Sequence, residues 1–291
     1  MADEETIPPH KGLKKGLYLI PTAFTAANIA MGFIAILYSI RGFHLAFSDP
    51  GAASWYFDRA AIAIWLAILF DTVDGRVARM TRTATEIGVQ FDSLADVLTF
   101  GIAPTALVYS WAIGSSFSEV SSEYAFGVFL LFMYVMCGTF RLARYNLQAT
   151  RPRVLMEGSP KVDKKNFVGL PIPPAAGLLA ALIHFAPYPL ISYGEFAARY
   201  YTYLIMVLVT ALAILMVSTI KYSSLKTVGT GRKNLYLFLI VAAVGMLLFL
   251  YSKYMLLILS GVYVAHGFIW YLYNIIRPRP KKPVEPSEAQ V

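Results

Sequence analysis

The sequence is poor in charge and in cysteine. Asp, Glu, Lys and Arg make up 14% of its 291 residues, against about 25% in an ordinary soluble chain, which excludes a conventional solvated surface. The one cysteine, Cys137, excludes an intramolecular disulfide and a four-cysteine metal site. The histidines, His10, His44, His184 and His266, are scattered along the chain and give little support to a histidine-based metal site or triad. No Gly-Lys-Ser/Thr phosphate loop is present, so coupling to nucleotide hydrolysis is not indicated. Residues 1–15 lack the apolar stretch and small-residue cleavage site of a signal peptide, so none is expected.

Apolar residues, by contrast, reach 57%. They fall in runs of about 20, long enough to cross a hydrocarbon core about 30 Å thick. Uninterrupted runs such as 204–216 (LIMVLVTALAILM) are not the short alternating segments of a β-barrel. The expected fold is an all-α polytopic membrane bundle with eight spans, at 17–40, 59–79, 88–113, 123–144, 167–187, 200–220, 234–252 and 254–276. A polar segment, 1–16, precedes them, and a proline-rich tail, 277–291, follows and is expected to be disordered.

The net charge of +8 would suggest nucleic acid in a soluble protein. Here its distribution matters more than its sum. Alternate connecting segments carry 21 of the 25 Lys and Arg residues, and the other side holds only Arg41, Arg59, Arg199 and Lys253. By the positive-inside rule both termini are cytoplasmic, and the basic residues face anionic lipid rather than nucleic acid. Aromatic residues near the span ends, among them Trp55, Tyr56, Tyr200, Tyr201 and Trp270, suit interfacial anchoring.

The chemistry gathers around the second and third spans. Asp71 and Asp74 fall on one helix face, and Asp92 and Asp96, four residues apart, fall on one face of the next. A short connection makes the two helices antiparallel neighbours, so four carboxylates can converge near the cytoplasmic surface. A lone Asp at a bilayer centre costs about 2.5–3.5 kcal/mol, which argues for a wet, cation-filled cavity. Oxygen-only donors favour Mg2+ or Mn2+ over zinc. Gly75 and Gly88 fit a close approach by a helix or a ligand, because mid-helix glycine costs about 1 kcal/mol relative to alanine. The residues alone leave three readings open: a metal-dependent catalytic site, a cation-transport path, or ion pairing with Arg76, Arg79 and Arg82.

The spacing Asp71-x2-Asp74-Gly75-x2-Ala78-Arg79-x8-Gly88-x3-Asp92-x3-Asp96 resembles, at all eight specified positions, the signature of the CDP-alcohol phosphatidyltransferases. Pro21, Asn28 and Gly32 in the first span resemble that family's opening segment. The resemblance implies a six-helix core, here 17–220, with 221–276 adding two helices. It implies transfer of a phosphatidyl group from a CDP-linked lipid to an alcohol, with release of CMP. The four aspartates would hold Mg2+ or Mn2+, and Asp96 would also serve as general base. Asn28, Gly75, Ala78, Arg79 and Gly88 would bind the CDP-lipid.

Two flanking segments, 140–146 (FRLARYN) and 167–176 (FVGLPIPPAA), resemble the serine-accepting branch of the family. They imply CDP-diacylglycerol and serine as substrates, with Arg141, Arg144 and Asn146 at the acceptor. Glycerol 3-phosphate and inositol phosphate are the alternative acceptors, and a cation carrier is the alternative class. The resemblance further implies a homodimer in a bacterial cytoplasmic membrane, with the active site facing the cytoplasm.

Overall fold

The computed structural model describes residues 12–81, 86–150, 166–223 and 245–276. Helix α1 (Gly12–Leu45) runs through the first expected span and beyond both its ends, and α2 (Pro50–Thr81) returns beside it. Small residues set the closeness of this pair. Ala35, Ala53, Ala60, Ala61 and Ala67 are buried, and a Cβ at Gly42 would stand 2.6 Å from the Phe57 ring. In lipid, where apolar burial gives helices no driving force to associate, such close packing takes over that role.

The next helical run is the most enclosed. It comprises α3 (Glu86–Asp96), a π-helical stretch (Val97–Ile102), α4 (Ala103–Val108), a second π-helical stretch (Tyr109–Ile113) and α5 (Gly114–Ser116). Of its apolar window, 67% is buried, against 28–39% for the other spanning helices, so this run forms the axis of the bundle. A Cβ on Gly32 would lie 2.9 Å from the Thr99 Cα, which places the α1 backbone directly against the first π-helical stretch.

Helix α6 (Ser122–Thr150) follows, then strand β1 (Asn166–Val168) and α7 (Ile172–Phe185). A 3-10 turn (Leu190–Tyr193), α8 (Glu195–Val217), β2 (Lys221–Ser223) and α9 (Ser252–Ile276) complete the described elements, and residues 245–250 are also helical. Helix α7 is buried nearly all round and packs against α2, α4 and α9.

The two strands pair antiparallel, with Phe167 opposite Tyr222, and the pairing continues as Gly169 N–H donates to the Ile220 carbonyl at 2.8 Å. Gly169 has φ +82°, and a Cβ there would run into the Met216 carbonyl oxygen, so the turn into α7 requires glycine. This ladder is an addition to the expected all-α fold. The start of the fifth expected span, from 167, lies in β1 and the turn after it, not in helix.

Four described helices are long and apolar enough to cross a bilayer: Ala23–Leu45, Ile87–Ser116, Ser122–Leu147 and Glu195–Val217. Their outward residues, such as Phe33, Leu37, Phe129, Phe132, Leu204 and Val207, are apolar and exposed, which suits lipid as the surrounding solvent. Most of the expected seventh span, 234–252, lies outside the described residues, as do the tail from 277 and the basic residues Arg151, Arg153, Lys161, Lys164 and Lys165.

Candidate metal and active site

Two helices bring the acids together as their spacing requires. One carboxylate oxygen from each of Asp71, Asp92 and Asp96 falls within 4.8 Å of the others. Asp74, one turn beyond Asp71 on α2, stands beside this trio rather than in it. It is buried, lies within electrostatic range of Asp92 and Asp96, and accepts a hydrogen bond from the Thr25 hydroxyl of α1. Thr25 is a site residue that the sequence reading missed. Its signal was available, because Thr25, Asn28 and Gly32 repeat at i, i+3 and i+7 along one face of α1.

The donor set fits a hard divalent cation. Asp96 is 9% exposed, and its buried Oδ1 has no hydrogen-bond partner among the described residues. A desolvated carboxylate oxygen facing two more carboxylates is costly unless positive charge meets it. Oxygen donors without sulfur or imidazole suit Mg2+ or Mn2+.

Around the acids lie further polar groups. Asn28 is wholly buried, and both its side-chain polar atoms are unpartnered among the described residues, while its carbonyl accepts from Thr99 Oγ1 at 3.3 Å. Gly75 is partly buried on α2 and Gly88 is exposed near the start of α3. The side chains of Ala78 and Arg79 lie outside the described residues.

The three expected acceptor residues separate. Arg141 is 7% exposed, lies within electrostatic range of Asp96, and has an Nε without a hydrogen-bond partner among the described residues. Of the three, it is the one that interacts electrostatically with Asp96. Arg144 reaches the Val217 carbonyl at 3.5 Å, at the C-terminus of α8, where a cation suits the helix dipole. Asn146 donates from Nδ2 to Ser93 Oγ at 2.8 Å, tying α6 to α3 between Asp92 and Asp96.

Far from the acids, His184 was also missed. Its Nδ1 lies 2.7 Å from Asp58 Oδ1 and its Nε2 lies 2.9 Å from Ser252 Oγ, so one imidazole joins α2, α7 and α9.

The helical membrane bundle, with carboxylates converging from two of its helices, agrees with the class of membrane protein that the aspartate motif resembles. The chain belongs to the CDP-alcohol phosphatidyltransferase family, which it matches over residues 18–207. It is 31% identical over 267 residues to the CDP-diacylglycerol–serine O-phosphatidyltransferase of Helicobacter pylori, covering 90% of this chain and 94% of that one. It is 31% identical over 214 residues to the archaetidylserine synthase of Methanothermobacter thermautotrophicus, covering 73% and 72%. With the CDP-diacylglycerol–serine O-phosphatidyltransferase of Saccharomyces cerevisiae it shares 32% identity over 160 residues, covering 55% and 51%.

Proposed function

We propose that this protein transfers the phosphatidyl group of CDP-diacylglycerol to the hydroxyl of L-serine, giving phosphatidylserine and CMP. The observation that carries the reading is the buried oxygen of Asp96, unpartnered among the described residues and set among converging carboxylates, with the buried guanidinium of Arg141 in electrostatic range. The names of relatives from a bacterium and a yeast support serine as the acceptor.

Asp71, Asp74, Asp92 and Asp96 would hold Mg2+ or Mn2+, which when bound neutralises diphosphate charge and polarises the phosphorus attached to the lipid. Thr25 fixes the Asp74 carboxylate. Asn28, with the backbone at Gly75, Ala78 and Gly88, receives the nucleotide, and Arg79 meets the charge of the departing CMP. Arg141 draws the serine carboxylate toward Asp96. Asp96 accepts the hydroxyl proton as the serine oxygen bonds to the lipid-bearing phosphorus and the bond from that phosphorus to CMP breaks. This is a single displacement, since the carboxylates serve as ligands and base rather than nucleophiles.

The same reading places the reaction at the cytoplasmic surface, where serine and CMP are soluble and the lipid enters sideways. It takes 17–220 as the catalytic core within eight spans, with 221–276 as an addition. The test is purified protein in detergent with CDP-diacylglycerol, Mg2+ or Mn2+ and labelled serine. Serine-dependent CMP release is the expected result. Release only with glycerol 3-phosphate or inositol phosphate assigns another acceptor, and the absence of CMP release with every alcohol favours a carrier.

A further inference from the structure

Helix α6 carries Arg141, and it is fastened to the helical run that carries Asp96 on both sides of that residue. Asn146 Nδ2 donates to Ser93 Oγ at 2.8 Å, three residues before Asp96, and the Tyr134 hydroxyl donates to the Phe100 carbonyl at 3.3 Å, four residues after it. Arg141 falls between Tyr134 and Asn146 as Asp96 falls between Ser93 and Phe100. Beside the second bond the two helices touch. A Cβ at Gly101 would stand 3.8 Å from Val135 Cγ1 and 3.9 Å from Ile172 Cδ1, and the same Ile172 methyl closes on Gly138 of α6.

The Asn146 bond fixes a rotation as well as a distance. A serine hydroxyl has one proton, and Ser93 gives it to the Val89 carbonyl at 2.9 Å, one turn back along α3. Only its lone pairs are left for Asn146, whose amide nitrogen donates. Ser93 adjoins Asp92 and lies about one turn before Asp96, so turning α3 away from Asn146 would swing both carboxylates away from Asp71 of α2, whose oxygen lies within 4.8 Å of theirs. Tyr134, wholly buried, holds the far end of the same run.

Proton transfer needs the base within hydrogen-bond reach of the hydroxyl, and a misplacement of about 1 Å can cost about 10²-fold in rate. An acceptor drawn by Arg141 is delivered from α6, while the base stands on α3. The separation of these two helices at the level of Ser93 therefore sets the reach of Asp96. We infer that Asn146 is a positioning residue that acts through Ser93, holding the base-bearing run against the helix that draws the acceptor, rather than a ligand of the acceptor itself. The inference rests on the roles given to Asp96 and Arg141 under the serine reading above.

The test is a double-mutant cycle on the full chain in detergent, with saturating CDP-diacylglycerol and Mn2+ and labelled serine. Ser93→Ala and Asn146→Ala should each lower kcat about tenfold and leave the serine KM within about twofold. The double variant should lose no more than either alone, since both substitutions remove the same bond. Ser93→Thr, which keeps the hydroxyl, should retain wild-type kcat. A ligand of the acceptor behaves otherwise: Asn146→Ala would raise the serine KM, Ser93→Ala would not, and the losses would multiply. That result overturns the inference, as does an unchanged kcat in either single variant. A wild type that releases no CMP with serine removes the serine reading and the inference with it, whereas an active wild type with independent losses removes the inference alone. Thermal stabilisation by CMP checks that each variant is folded. Should Asn146→Ala lose it, Asn146→Leu, similar in size and without the amide, takes its place with the same expected fall in kcat, and no fall overturns the inference.

Discussion

The hydroxyl of Thr25 on α1 donates to the carboxylate of Asp74 on α2, so the acidic centre is held by three helices rather than the two that carry the acids. Outer partners of this kind orient metal ligands, and their loss typically costs about 10–100-fold in metal affinity or activity. Thr25→Val should therefore raise the Mn2+ concentration needed for half-maximal CMP release by about 10–100-fold, and Thr25→Ser should retain wild-type behaviour. A metal titration of turnover on the three proteins checks this.

Ligand and base are separable among the aspartates. Asp96→Asn keeps size but cannot accept the proton, so turnover should fall roughly 10²–10⁴-fold, while CMP binding survives better. Asp71→Asn and Asp92→Asn should lose CDP-lipid binding and turnover together, with partial recovery at high Mn2+. Near-normal turnover in Asp96→Asn would remove its role as base.

The contact of α1 with the π-helical stretch has no room for a methyl group. Gly32→Ala sets a Cβ 2.5 Å from Thr99 Oγ1 and 2.9 Å from its Cα, and overpacking of this kind costs roughly 1–3 kcal/mol. Since Asn28 lies one turn away, CMP binding should weaken along with thermal stability. A melting curve with and without CMP measures both, and an unchanged melting temperature would refute the tight contact.

The orientation drawn from the basic residues is tested by reporters. One fused after residue 291 should be cytoplasmic. One inserted at Val120, in the exposed turn after Ser116, should be external. Finding both on one side would remove the eight-span arrangement.

The homodimer implied by family resemblance predicts twice the 32.2 kDa chain mass by native mass measurement in lipid. A monomer would remove that expectation without touching the chemistry.

What the sequence made legible was whatever is expensive to keep in a membrane. Four acids at helical spacing cannot be lipid-facing, so Asp71, Asp74, Asp92 and Asp96 could be placed on facing helices before any coordinates. Thr25 was not legible, because a threonine in an apolar helix commonly bonds its own backbone, as Thr72, Thr139 and Thr210 do here. The His184 relay was hidden by distance, since its partners lie 126 and 68 residues away. The β1–β2 ladder was hidden by size. Strands of three residues carry no periodicity, and these form because the start of α7 and the end of α8 bring two segments together.

The wide turn after Asp96 bears on how this chain is compared with others. A π-helical turn closes through an i→i+5 bond and so takes up one residue more than an α-turn. A homologous chain that spans the same stretch as regular α-helix would need one residue fewer between Val97 and Ile102 to keep both Asp96 and Pro104 facing as they do. An ungapped alignment through 97–102 would then pair every later position of that helix with the wrong neighbour. Residues beyond Ile102 are best matched across homologues by the direction they face, and a single-residue deletion within this stretch is the length change the bundle is built to absorb.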